Sequence, residues 1–117
     1  VNVIGVDVAK GKSQCVLVTN NNVDRYFEIK HNRPGFFNLY TISKESEALI
    51  VFETTGVYSA QLTRFCIQEN LDFIEVNPLE ASIKMAELRR DKTDRSDAEK
   101  LAFLIINQHD LLVGRRP

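Results

Sequence analysis

Asp7 sits inside the β-type run Val3-Ile4-Gly5-Val6-Asp7-Val8, with Val6 and Val8 on either side. A carboxylate buried in such a strand is costly unless it is hydrogen-bonded, paired or bound to a cation. Glu53 ends the apolar run Ala48-Leu49-Ile50-Val51-Phe52, and in open sheets covered by helices ligand sites lie beyond the carboxyl ends of strands. Asp94 and Asp97 are three residues apart and share a face if helical. Leu101, Leu104 and Ile105 continue that face, which directs the pair to the side that meets the sheet. Each acid also has a structural reading. Asp7 could cap the following turn, and Glu53 could be a solvated loop residue. Asp94 and Asp97 could serve a first helical turn, where Ser96-x-x-Glu99 forms a capping-box pattern. Converging carboxylates repel one another unless cations lie between them, and such hard oxygen ligands suit Mg2+ or Mn2+. Two such ions about 4 Å apart activate an attacking oxygen and stabilise a leaving one in phosphodiester transfer.

The elements that must position these groups follow from hydrophobic period and turn chemistry. Val3–Val8, Gln14–Thr19 and Val23–Ile29 are predicted as strands, with Asn20-Asn21-Asn22 as a turn, since Asn tolerates left-handed backbone. Pro34 marks a helix start, with Phe36, Phe37, Leu39, Tyr40 and Ile42 as its apolar side. Ala48–Phe52 is a buried strand. Beyond Thr54-Thr55-Gly56, the stripe Tyr58, Leu62, Phe65 and Cys66 predicts a helix that stops near Asn70. Asp72–Val76 is a short strand. Asn77-Pro78-Leu79-Glu80 opens a helix running to about Arg89, and a last helix starts between Thr93 and Ser96 and ends near Gln108. The predicted class is α/β: a mixed sheet with an antiparallel three-strand meander, flanked by helices.

At 117 residues the chain is one domain with room for a real core. Its 44% hydrophobic and 26% charged residues are ordinary for a globular fold. No apolar run reaches membrane-spanning length, and no signal peptide is visible. Cys15 and Cys66 lie in apolar segments without zinc spacing and are expected to be buried free thiols in a reducing cytoplasm. His31 and His109 show no ligand spacing and are assigned surface roles. The net charge of −1 is neutral as to partners, but Lys84, Arg89, Arg90, Lys92 and Arg95 form a basic cluster, with Lys10 and Lys12 a smaller one beside Asp7. Glu87 and Asp91 could instead make the larger cluster a solvated, ion-paired face. The start at Val1 and the end at Gly114-Arg115-Arg116-Pro117 are read as cuts from a longer protein.

Three stretches, Ile4-Gly5-Val6-Asp7-Val8-Ala9-Lys10, Glu53-Thr54-Thr55-Gly56 and Lys92-Thr93-Asp94-Arg95-Ser96-Asp97-Ala98, resemble in order and separation the signatures of the DEDD transposases. That insertion-sequence one-ten family includes the Piv and MooV invertases, and the resemblance covers nearly the whole chain. It implies a ribonuclease H-like, RuvC-like catalytic domain over residues 1–117, with Asp7, Glu53, Asp94 and Asp97 as a tetrad holding Mg2+ or Mn2+. It further implies DNA as substrate, a structured bridge RNA as guide, self-association, and work at the bacterial nucleoid in the cytoplasm. Lys10, Lys12, Lys84, Arg89, Arg90, Lys92 and Arg95 would face nucleic acid. Family members take their serine nucleophile from a separate carboxyl-terminal domain that this sequence lacks, so Ser13, Ser59, Ser82 and Ser96 are not promoted in its place. The fragment is expected to be inactive alone. The alternatives are a stand-alone RuvC-like nuclease or resolvase, and a non-catalytic nucleic-acid-binding module. An actin-like ATPase half is disfavoured, because the five glycines form no phosphate-binding cluster.

Overall fold

The structure, a computed structural model, describes residues 2–54, 56–79, 96–108 and 115–116. Strands β1 (Asn2–Val8), β2 (Lys12–Thr19) and β3 (Asn22–Lys30) form the antiparallel meander. Asn20 and Asn21 adopt φ of 52° and 66°, the left-handed backbone that a tight hairpin turn requires. Helix α1 (Arg33–Ser46) begins where the Asn32 side chain accepts the Gly35 N–H at 2.9 Å, with Pro34 in its first turn, and it ends at the left-handed Glu47. The chain then returns as β4 (Ala48–Glu53), parallel to β1. Helix α2 (Val57–Gln68) follows, and Asn70 at φ 60° turns the chain into β5 (Phe73–Val76), parallel to β4. Helix α3 spans Asp97–Gln108, and β6 (Arg115–Arg116) pairs antiparallel with β5. The sheet order is β3-β2-β1-β4-β5-β6.

Period-2 alternation divides the core into two layers. Ile4, Val6, Cys15, Leu17, Ile50, Phe52 and Phe73 face α1 and α2, where they meet Leu39, Ile42, Leu62 and Cys66. Val3, Val16, Val18, Val51 and Ile74 face α3, where they meet Ala98, Leu101, Ala102, Leu104 and Ile105. Burying each of the large side chains favours folding by about 1.5–3 kcal/mol. Among the described residues, helices thus cover both faces of a mixed sheet, the ribonuclease H-like arrangement expected from the sequence. The alternation also fixes sidedness. Gly5 and Asp7 share the face of Val3, and Glu53 shares that of Val51, so both acids project on the α3 side.

Strand ends differ by a residue or two from the sequence expectation, as fraying ends do. The helix expected from Asn77 to about Arg89 starts where the sequence put it, with Pro78 and Leu79 helical and Asn77 Oδ1 accepting the Leu79 N–H at 2.9 Å, and from residue 80 onward it lies outside the described residues. The pairing of β6 was not anticipated, because two residues are too short to display a period.

Candidate carboxylate centre at the carboxyl end of the sheet

β1 and β4 are hydrogen-bonded neighbours running in the same direction, so their carboxyl ends lie together. Asp7 stands one residue before the end of β1, and Glu53 is the last residue of β4. Asp97 is the first residue of α3, the helix packed on the same face. Ser96 caps that helix by accepting the Glu99 N–H at 3.2 Å, the expected capping contact. The seating of α3 is set at Gly5. A Cβ there would lie 2.0 Å from the Ala98 carbonyl oxygen and 3.0 Å from the Ala102 nitrogen. Only a residue without a side chain lets the helix come this close to β1, and that approach carries Asp97 to the strand ends.

The charge of Asp97 bears on both strand carboxylates. Burial pushes the Asp7 carboxyl above its ordinary range, and the charge of Asp97 adds to that. Glu53 is raised first by burial, then by Asp97, then by Asp7. Residues separated by up to ninety positions in sequence therefore share one electrostatic neighbourhood. Asp97 is more open than its place in line with the buried stripe implies: its side chain is 69% exposed, and Lys100 Nζ lies 3.9 Å from its Oδ1. Among the described residues, no three His, Cys, Asp or Glu side chains are drawn closely enough together to cage a metal ion. Coulombic coupling acts over several ångströms, whereas a cage needs oxygens at coordination distance, so the two observations agree. Asp94 lies outside the described residues. The donor set fits a hard divalent cation: all three groups are carboxylates, half-buried or exposed, with their charges in mutual repulsion.

Several neighbours went unnoticed in the sequence. Gln14, opposite Asp7 in register, donates to Glu28 at 2.7 Å, the carboxylate that also lies 3.9 Å from Lys12, a residue the sequence had marked. Tyr26 Oη donates to Glu99 Oε1 at 2.7 Å and ties the first turn of α3 to β3 across 73 positions. Only Lys100 had a readable signal, its three-residue spacing from Asp97. His31 corrects the surface assignment. It is half-buried on the other face, 2.7 Å from Ser13 Oγ and stacked on Phe36, because Ser13 on β2 faces α1 and α2. Burial makes His31 harder to protonate, with a Gln61 hydrogen bond opposing. His109 lies outside the described residues, as do Lys84, Arg89, Arg90, Lys92 and Arg95. Lys10 and Lys12 are exposed at the β1–β2 turn, at the same end of the sheet as Asp7. Cys15 and Cys66 are buried free thiols. No helix among the described residues is long and apolar enough to cross a membrane.

The profile of the DEDD transposase family of the IS110 type, described as a transposase, matches residues 4–116. A comparison with curated proteins returned no match.

Proposed function

Because the chain belongs to the DEDD transposase family, we propose that Asp7, Glu53, Asp94 and Asp97 form one divalent-metal centre for the cleavage and transfer of DNA strands. The observation that carries this reading is the placing of Asp7 and Glu53 at the ends of paired strands with Asp97 on the helix packed over the same face, where burial first and the Asp97 charge second make Asp7 and Glu53 harder to ionise. A carboxylate cluster held against its own repulsion is a poor device for stability and a good one for holding cations.

Asp7 and Glu53 stand on paired central strands, which hold their spacing rigid. Asp97 enters from α3, so closure of the centre depends on how that helix sits. Lys100 balances part of the Asp97 charge. Mg2+ or Mn2+, bound by these carboxylates, would supply a positive field that favours an ionised attacking oxygen and offsets charge on the leaving one.

The wider reading is that residues 1–117 are the RuvC-like part of a longer transposase whose serine-bearing domain completes the reaction, and that the part alone does not recombine DNA. A structured guide RNA, self-association and location at the nucleoid belong to the same proposal. Lys10, Lys12, Lys84, Arg89, Arg90, Lys92 and Arg95 would contact the nucleic-acid backbone. The test is recombination in cells by the whole transposase carrying Asp94→Asn or Asp97→Asn. Loss of recombination at unchanged protein level is expected. Retained recombination would reduce both residues to helix-capping acids.

A further inference from the structure

Phe37 has no place in the core. It is 61% exposed, in the second turn of α1, and its ring stacks on Tyr40 with centroids 5.8 Å apart and planes 19° apart. The same face carries Arg33 four residues before Phe37 and Lys44 four residues after Tyr40, both exposed, with Lys44 Nζ 5.8 Å from the centre of the Tyr40 ring. Steps of four, three and four place Arg33, Phe37, Tyr40 and Lys44 in one line, roughly 16 Å long at 1.5 Å per residue. The line begins beside a cationic corner. Lys12 and Lys30 are partners in the β2–β3 register, and the His31 N–H bonds to the Gly11 carbonyl at 3.0 Å, which draws the β1–β2 turn, with Lys10, against the entry to α1. No acid occupies the first turn of α1. Glu28, one of the acids near this corner, is engaged by Lys12 and Gln14.

We propose that this face of α1, entered through Lys10, Lys12, Lys30 and Arg33, is a platform for single-stranded DNA, with phosphates on the cations and a base stacked on Phe37. An exposed ring between cations in one line matches what single strands present: a charged backbone with flat apolar bases at regular intervals. Duplex DNA hides its bases from such a ring, so the ring favours the single strand. The assignment of DNA rests on the transposase reading: a strand cut at the Asp7 end of the sheet must continue past the same end, and the corner lies on that end. The cations alone would suit any polyanion, and Phe37 narrows the choice.

The test is fluorescence anisotropy of a fluorescein-labelled fifteen-nucleotide oligothymidylate with the chain, as a function of salt. Phe37→Ala is expected to weaken binding about 5- to 100-fold, the range for loss of one base–aromatic stack. Phe37→Leu, which keeps apolar bulk without a ring, should weaken it similarly, and Phe37→Trp should retain parental affinity. None of the three should alter the salt slope. Lys30→Ala with Arg33→Ala should lower that slope by about 1.4, at about 0.7 per single-strand phosphate contact. Parental affinity in Phe37→Ala, or a Phe37→Leu protein that binds like the parent, overturns the stacking platform. Tighter binding of oligouridylate, with the same dependence on Phe37, overturns the choice of DNA. Absence of binding by the parent overturns the platform as well, and it leaves the metal centre standing or falling on ion titration alone.

Discussion

Replacing Gly5 by alanine would put a methyl carbon 2.0 Å from the Ala98 carbonyl oxygen and 3.0 Å from the Ala102 nitrogen. Both are backbone atoms of α3, so no side-chain rotation relieves the clash. Bringing the first contact to 3.0 Å, still a tight separation, requires α3 to lift from β1 by at least about 1 Å. Overpacking of this kind costs about 1–3 kcal/mol, and the upper half of that range fits a backbone obstruction. At roughly 4 °C per kcal/mol for a chain of this size, Tm should fall by about 8–12 °C. The functional consequence is larger than the stability loss. Asp97 precedes Ala98 and moves with it, whereas a site of positioned ligands tolerates displacements of only about 0.5 Å. Affinity for Mn2+, read by titration calorimetry well below the lowered Tm, should drop at least about tenfold. Leu104→Ala is the control: it opens a cavity in the same α3 layer at a cost of about 2–5 kcal/mol, yet should leave ion affinity near that of the parent. A Gly5→Ala protein with unchanged Tm and unchanged Mn2+ affinity would refute the argument that this close approach seats the helix and its carboxylate.

Asp7→Asn should stabilise the metal-free protein at pH 7. Because the folded carboxyl titrates above the unfolded one, the folded state holds the proton more tightly, so stability falls as pH rises between the two values. The gain from Asn should therefore be largest at neutral pH and vanish below about pH 4, where Asp is protonated in both states; thermal melts across pH 3.5–8 in chelator check this, and a Tm lowered by the substitution at pH 7 would contradict it. Burial pushes the Cys66 thiol up to about 12 and Cys15 higher still, so neither should react with Ellman's reagent before unfolding, and both should react together in denaturant. Rapid labelling of either in the folded chain would show that its layer of the core opens readily.

The sheet was legible because its strands repeat their pattern. Val3, Ile4, Val6, Ile50, Val51 and Phe52 announce central strands covered on both faces. Asn20-Asn21 announces the hairpin through the left-handed backbone that Asn tolerates. The stripe Leu101, Leu104, Ile105 gave α3 its buried side. What brings Asp7, Glu53 and Asp97 into one neighbourhood was only half legible. Alternation puts Asp7 and Glu53 on one face once the parallel pairing of β1 with β4 is known, and pairing is a long-range choice no local pattern encodes. The contact of Gly5 with α3 and the tie from Tyr26 to Glu99 are of the same kind. His31 was misread because a histidine in a turn after a strand carries no sign of the ring that will cover it, here Phe36. Asp97 was expected to face inward, yet at the first residue of its helix it stands beside the layer that buries Ala98.

Calorimetric titration of Mn2+ into the chain, beside Asp7→Asn and Asp97→Asn, puts the shared centre to its most direct test. Binding by the parent is expected, with affinity reduced at least about tenfold in each variant, since one ion's ligands come from both β1 and α3. Parental affinity in either variant would contradict it, for the carboxylates of the strand and of the helix would then not serve the same ion.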